Sequence, residues 1–452
     1  MGYLSPRALQ GLKEYQYKPA GYTWLDDLHQ PFWNALTEML PMWLAPNLVT
    51  LSGLIGLVIA YFLDLYYDPN MSGNAPRWVH AFSGVAVLVY VHLDCVDGKQ
   101  ARRTKSSSPL GQLFDHGCDA VSLHLMTANL HCAINYPCNP VASIVLTSVV
   151  TCWVFGHWEE YHTGVLMYGN TWFGVLEANY SLAFAQFLTA AMGAGVWDTQ
   201  VVTLPEQIPL PDALPRTWSE CGRDCWALSS DGTVHVCRVA RAVEPRRVSC
   251  ALPSGHYECR SQAWGCMALT PPKHMLLFAL RHLFFASSII MGMGIQLTGQ
   301  LYRVFTFDDA SLPAVERGNK ELGLGAKLKH AFIVTVMLVL GMLWTAESEV
   351  GWGQCRSSSF NFGILYALIA SQLITDHMCK EPFRPMLWPF AVLAAGALNT
   401  HLHVVDPIMF SFACNVVVTA GYLHWVVTVV GQITKFLGIK CLTIPRAKAA
   451  QQ

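Results

Sequence analysis

Four aspartates stand in two clusters: Asp94-Cys-Val-Asp97-Gly98-Lys-Gln-Ala101-Arg102, then eight residues, then Gly111-Gln112-Leu-Phe-Asp115-His116-Gly-Cys-Asp119. All four lie in or at the edge of apolar runs, where an ionisable side chain is costly and marks function by default. Asp94 and Asp97 are three residues apart and Asp115 and Asp119 four apart. On helices each pair therefore shares one face. The connection is short enough to make the two helices antiparallel neighbours, so the four carboxylates converge. Without counter-charge they could not all stay ionised. A hard divalent cation resolves the repulsion, and oxygen ligands suit Mg2+, Mn2+ or Ca2+. The absence of nearby Cys–His pairs speaks against zinc. Two ions fit four carboxylates better than one, as in sites that clamp a displacement at phosphorus. Gly98, Ala101 and Gly111 are small enough for a ligand or a second helix to approach the backbone. Arg102 offers a fork for a phosphate oxygen. The bland alternative, carboxylates merely paired with Arg102, Arg103 and Lys105, is disfavoured by the ordered spacing.

The elements that carry these residues are membrane helices. Of 452 residues, 53% are hydrophobic and 13% charged, about half the charged fraction usual in soluble domains. A net charge of −1 leaves no basic footprint for nucleic acid. Ten apolar stretches are long enough to cross about 30 Å of hydrocarbon, near residues 46–67, 79–97, 112–134, 140–158, 177–196, 275–300, 329–347, 360–377, 386–401 and 406–434. They are too long and continuous for barrel strands. The expected fold class is all-α, a polytopic membrane protein with about ten transmembrane helices. Eighteen Lys and Arg fall in the termini and the loops on one side, against Arg77 and Arg356 in the short loops of the other. Both termini are therefore expected to be cytosolic. Residues 5–15 and 27–42 mix apolar and charged positions at helical spacing, as interfacial amphipathic helices do; a helix packed on protein is the alternative. No cleavable signal peptide is expected, because residues 1–42 lack an apolar h-region.

The division expected is an N-terminal interfacial segment (1–42), a catalytic membrane core (43–196), an insertion (197–274), C-terminal transmembrane helices (275–436) and a cytosolic tail (437–452). The insertion is polar and Pro-rich and holds Cys221, Cys225, Cys237, Cys250, Cys259 and Cys266. On the non-cytosolic side these could form disulfides, but no connectivity follows from the sequence. Zinc is disfavoured by the lack of paired CxxC ligands. A luminal subdomain and an unspliced or mispredicted stretch without a fold both remain open. The sequon Asn70-Met71-Ser72 lies in the first non-cytosolic loop.

The pattern DGxxAR, eight residues, GxxxDxxxD, present here at every fixed position from Asp97 to Asp119, resembles the signature of the CDP-alcohol phosphatidyltransferase family. Trp43-Leu-Ala-Pro-Asn47-Leu, DGKQARRT at 97–104, LFDHGCD at 113–119 and His157-Trp-Glu159 look like the eukaryotic choline/ethanolamine phosphotransferase branch. The resemblance covers most of residues 5–196 and, more loosely, the C-terminal half. It implies transfer of a phospho-alcohol from CDP-choline or CDP-ethanolamine to diacylglycerol, giving phosphatidylcholine or phosphatidylethanolamine and CMP. It also implies Mg2+ or Mn2+, two ions held by Asp94, Asp97, Asp115 and Asp119. It further implies a homodimer in the endoplasmic reticulum or Golgi membrane, with the active site on the cytosolic face.

The acceptor hydroxyl needs a general base. His116 is the first choice, with an ordinary pKa near 6.5 and, by resemblance, the role of proton acceptor; Asp119 is its rival. Gly98, Ala101, Arg102 and Gly111 resemble the family's CDP-binding positions. Gln112 and Lys105 stand where relatives often have Glu and Asn, which bears on cytidine or head-group affinity. Asn47 is either a donor contact or a helix N-cap. His157, Glu159 and Glu160 are expected to begin a cytosolic loop, meeting the head-group cation or only solvent. His92, His124 and His131 are read as structural. The alternatives are a relative with another acceptor, or an inactive scaffold; the latter should have lost an aspartate, and none is missing. Choline and ethanolamine are not told apart.

Overall fold

The computed structural model describes residues 2–69, 71, 73–136, 140–205, 224–228, 234–244, 247–252, 255–260, 275–346 and 352–444. Asn70 and Ser72 of the sequon, and the side chains of the six cysteines between 221 and 266, lie outside the described residues. The chain divides into two compact units, one of Met1–Asp198 with Arg281–Gln452 and one of Thr199–Leu280.

The first unit is helical. Its N-terminal helices are α1 (Pro6–Lys13) and α2 (Trp24–Met39), followed by α3 (Pro46–Tyr67), α4 (Arg77–Arg103), α5 (Pro109–Ala133), α6 (Pro140–Thr163) and α7 (Val175–Met192). After the second unit come α8 (Leu280–Ile289), a π-helical stretch (Ile290–Leu297), α9 (Thr298–Thr306), α10 (Ala314–Arg317), α11 (Leu324–Thr345), α12 (Trp352–Cys379), α13 (Trp388–Leu402) and α14 (Pro407–Leu437). The starts are written in the sequence. Ser5 and Ser108 accept from Ala8 N and Gly111 N with proline at the first helical position, and Thr23 and Asp26 form a reciprocal capping box.

A helix stands at each of the ten places where the sequence called for a span, but the stretch expected at 275–300 is helical only from Leu280, Met275–Ala279 being a strand. Among the described residues, six are long and apolar enough to cross a membrane: α3, α4, Leu280–Thr306, α11, Cys355–Cys379 in α12, and α14. Helix α5 carries Asp115, Asp119 and three histidines. Helix α13, at 15 residues, rises about 22 Å, short of the hydrocarbon thickness. Helix α12 is the centre of the bundle, with 89% of its apolar window buried, against 6% for Leu280–Thr306. Glycines let its neighbours close in. A Cβ on Gly363 would lie 2.2 Å from the His124 ring, and one on Gly341 2.1 Å from the Phe362 ring.

Two expectations are corrected here. His157, Glu159 and Glu160 do not begin a loop: α6 runs on to Thr163, and all three are buried. The apolar stretch at 140–158 ends early only because the last turns of the helix face polar partners rather than lipid. The chain is also not wholly α. In the second unit, strands β4 (Asp224–Leu228), β5 (Val234–Glu244), β6 (Arg247–Leu252) and β7 (Gly255–Arg260) form an antiparallel sheet in that order. There β3 (Gln200–Pro205) also pairs antiparallel with β8 (Met275–Ala279). Alternation such as Val234-His-Val236-Cys has the period of a strand, not of a helix. In the first unit, β1 (Pro19–Ala20) and β2 (Leu166–Met167) make one short parallel pair.

Candidate active site

Helices α4 and α5 are joined by the five residues 104–108 and run antiparallel, with α3 packed on both. The turn is tied by Thr104, whose hydroxyl donates to Gln100 O at 2.8 Å and meets Ser106 Oγ at 2.7 Å. Lys105 takes a left-handed φ of 51° to make it. The end of α4 is stitched to α2 and the turn after it. Lys99 donates to Gln30 and Asn34, Gln100 to Pro41 O and Leu44 O, and Arg103 to Thr37 O and Leu40 O. Arg102 is exposed and makes no hydrogen bond or ion pair among the described residues. Of the basic residues in DGKQARR, Arg102 is therefore the one left to meet a ligand.

The structure brings Asp94, Asp97 and Asp115 together, one carboxylate oxygen of each within 4.8 Å of the others. Oδ1 of Asp94 and Oδ1 of Asp115 are buried without a hydrogen-bond partner, and a buried orphaned acceptor is costly. A donor set made only of carboxylate oxygens fits a hard divalent cation, so the residues present suit the metal expected. Thr50 of α3 donates to Asp97 Oδ2. Asp119 stands apart from the group of three: its Oδ1 accepts from the Tyr90 hydroxyl at 2.7 Å.

Gly98 and Gly111 border this group. A Cβ at Gly98 would meet only Arg102 Nη1, at 3.5 Å, and one at Gly111 would come no closer than 3.6 Å, to Asn47 Oδ1. No protein atom demands glycine at either position, so the small residue leaves room for something else. Ala101 is half-buried one turn after Asp97. Asn47 is not the N-cap of α3, which is Ala45; its Nδ2 donates to Cys441 O at 3.0 Å, fastening the tail after α14 beside Gly111. Gln112 donates to the Tyr15 hydroxyl at 2.7 Å. An open apolar groove of about 460 Å3 runs past Phe114, Val426, Val430, Thr434 and Ile439, next in sequence to Asp115.

His116 is 2% exposed, with Nε2 3.8 Å from Asp115 Oδ2. Its ring meets His157 at 5.1 Å and, edge-on, Tyr17 at 5.6 Å between centroids. The sequence reading missed Thr50, Tyr90, Tyr15 and Tyr17. All four are ordinary helix or loop residues by type, and only the packing makes them neighbours of Asp97, Asp119, Gln112 and His116.

Residues 43–203 match the family model of CDP-alcohol phosphatidyltransferase. Over nearly their whole lengths, two curated proteins are similar to this chain. An uncharacterized CDP-alcohol phosphatidyltransferase class-I family protein 1 of Dictyostelium discoideum is 25% identical, over 99% of this chain and 96% of its own. Choline/ethanolaminephosphotransferase 1 of Arabidopsis thaliana is 26% identical, over 99% of this chain and all of its own. Cholinephosphotransferase 1 of Gallus gallus is 37% identical, over 44% of this chain and 59% of its own. The aspartate signature spread across α4 and α5 lies inside the matched residues, so residues 43–203 carry a CDP-alcohol phosphatidyltransferase domain.

Proposed function

We propose that this protein transfers phosphocholine or phosphoethanolamine from CDP-choline or CDP-ethanolamine to the free hydroxyl of diacylglycerol, making phosphatidylcholine or phosphatidylethanolamine and CMP. The observation that carries this reading is the group of Asp94, Asp97 and Asp115, flanked by His116 and an uncommitted Arg102. The names of the Arabidopsis and Gallus relatives support the donors.

Asp94, Asp97 and Asp115, with Asp119 one turn on, would hold two Mg2+ or Mn2+ ions. When bound, these neutralise charge on the pyrophosphate and on the departing CMP. Arg102 takes a phosphate oxygen in its fork, and Gly98, Ala101 and Gly111 leave the space in which the nucleotide lies. Asn47 and Gln112 line the same side, within reach of the donor. His116 accepts the proton of the acceptor hydroxyl at Nε2 as the oxygen bonds to phosphorus. The bond from phosphorus to the CMP oxygen breaks, and its electron pair leaves with CMP. Asp119 is the rival base, but its hydrogen bond from Tyr90 already occupies one oxygen. Diacylglycerol reaches His116 from the lipid, and the apolar groove beside Phe114 supports such an approach.

The topology that fits this reading has ten spans and cytosolic termini, with the carboxylates at the cytosolic end of the bundle. Residues 43–196 form the catalytic core, 275–436 the further spans and 197–274 a luminal insertion. Cys355, at the far end of α12 from His377, is disulfide-bonded, which supports an oxidising compartment at that end. An endoplasmic reticulum or Golgi membrane and a homodimer complete the proposal.

The test is release of labelled CMP by microsomes that lack their own phosphotransferases. They are given diacylglycerol, Mg2+ or Mn2+, and one donor at a time. Metal-dependent release that falls by orders of magnitude, to a trace seen only over hours, in Asp115→Ala and His116→Ala supports the reading, and the ratio of the two donors sets the specificity. A wild type silent with both donors, and still silent with 197–274 deleted, overturns it.

A further inference from the structure

Behind His116, on the side away from the carboxylates, lies a buried network that the reaction as described does not use. His157 and Glu160 are 4% and 2% exposed. One ligand atom each of His116, His157 and Glu160 falls within 4.8 Å of the other two. Nδ1 of His116 is buried and has no hydrogen-bond partner.

The donors around Glu160 fix the tautomers. Lys320 Nζ stands 2.9 Å from His377 Nδ1. Burial pulls the Lys320 ammonium down to about 8, so at neutral pH it remains the donor and His377 Nδ1 the acceptor. His377 then carries its proton on Nε2, which faces Glu160 Oε1 at 3.6 Å. His157 Nδ1 is 3.0 Å from Glu160 Oε2. An ionised carboxylate only accepts, so His157 is protonated on Nδ1 and, as a neutral imidazole, keeps a lone pair on Nε2. The Tyr15 hydroxyl donates to Glu160 Oε1 at 3.2 Å and accepts from Gln112. Glu160 thus receives three groups, drawn from α6, α12 and the segment after α1.

We propose that Glu160, acting through His157, is a positioning residue for His116. The Glu160–His157 hydrogen bond fixes a ring-nitrogen lone pair where the orphaned Nδ1–H of His116 can use it. His116 is then held with Nε2 unprotonated toward the acceptor hydroxyl. When the proton arrives at Nε2, the Glu160 carboxylate balances the imidazolium, the role of the buried acid in a Ser-His-Asp triad. A transition metal on the same nitrogen and oxygen atoms is disfavoured. Glu160 Oε2 and His157 Nδ1 already bond each other, and Tyr15 takes Oε1. The inference rests on the reading of His116 as the base.

Glu160→Gln keeps the shape and removes the charge, while Glu160→Asp keeps the charge. In the CMP-release assay on the full-length protein, Glu160→Gln should lower kcat on the order of a hundredfold with KM for the CDP-alcohol unchanged, and Glu160→Asp should recover much of the loss. In a His116→Ala background, read over hours by labelled CMP, adding Glu160→Gln should cost little further, because residues acting as a unit are not additive. Melting temperatures separate misfolding from this effect, and if Glu160→Gln does not fold, the same cycle with His157→Asn decides. A wild-type kcat in the folded variant, or an undiminished loss in the His116→Ala background, overturns the inference. A wild type silent with both donors, and still silent with 197–274 deleted, instead defeats the proposed function itself.

Discussion

Thr50 Oγ1 donates a hydrogen bond to Asp97 Oδ2, so a residue of α3 orients a carboxylate supplied by α4. Both side chains are buried, and the contact crosses from the helix that opens the family match to the helix that begins its signature. A partner that orients a metal ligand typically changes affinity or activity 10–100-fold when lost. Thr50→Val keeps the volume and removes the donor. Half-maximal CMP release should then need roughly tenfold more Mg2+, with little change in melting temperature. An unchanged Mg2+ requirement would show that Asp97 is oriented by something else.

The three grouped carboxylates and Asp119 should separate by experiment. Asp97→Asn or Asp115→Asn takes a ligand from the group of three, so the rise in melting temperature on adding Mn2+ should disappear along with turnover. Tyr90→Phe leaves all four carboxylates in place and removes only the donor to Asp119. It should preserve the Mn2+ effect and lower turnover on the order of tenfold. Thermal shift with and without Mn2+, beside CMP release, reads both. Loss of the Mn2+ response in Tyr90→Phe would show that the Tyr90 hydrogen bond is what keeps Asp119 on the ions.

What the sequence made legible was the part encoded by spacing. Asp94 and Asp97, and Asp115 and Asp119, had to share faces because of helical periodicity, and a short connection had to make α4 and α5 neighbours. The apolar runs became helices, apart from the strand Met275–Ala279 that opens one of them, because length and hydropathy are local properties. What stayed hidden depends on contacts between residues far apart in the chain. Glu160 looked like the start of a loop because charged residues usually end a span. Its partners Tyr15 and His377 lie 145 and 217 positions away, and only folding supplies them. The Asn47 carboxamide read equally as a cap, since Asn before an apolar run is a capping signal. Pro46 in the first turn moved the cap to Ala45, and the Cys441 carbonyl lay 394 residues on. The strands of the second unit were obscured by the interest of their cysteines, although Val234 and Val236 alternate as strand residues do.

Lys105 closes the α4–α5 connection with φ at 51°, a left-handed conformation that a side chain with a Cβ adopts at a cost of roughly 1–2 kcal/mol. Asn, which visits that region more readily, is the residue that many relatives are expected to carry there. Lys105→Asn should raise stability by up to about 1 kcal/mol and, with Arg102 as the cation that takes the phosphate oxygen, leave KM for the CDP-alcohol unchanged. Thermal unfolding in detergent checks the first outcome and CMP kinetics the second. A weaker KM in Lys105→Asn would mean that the lysine itself contacts the donor.

Helix α5 is also packed closely by α12. Gly363 of α12 faces the His124 ring so closely that an added Cβ would fall 2.2 Å from it, against ring atoms enclosed by the bundle. Neither helix can retreat without disturbing the antiparallel pair that carries Asp115. Overpacking of this kind typically costs about 1–3 kcal/mol. Gly363→Ala should therefore lower the melting temperature and, by shifting α5, lower turnover as well. Gly56 is the control: its Cβ would meet nothing within 4 Å on α3, so Gly56→Ala should gain about 0.5–1 kcal/mol from helix propensity and leave activity intact. The pair measured together separates the effect of a lost glycine from the effect of a blocked helix contact. Equal stabilities for the two variants would show that α5 is not held against α12 at this point.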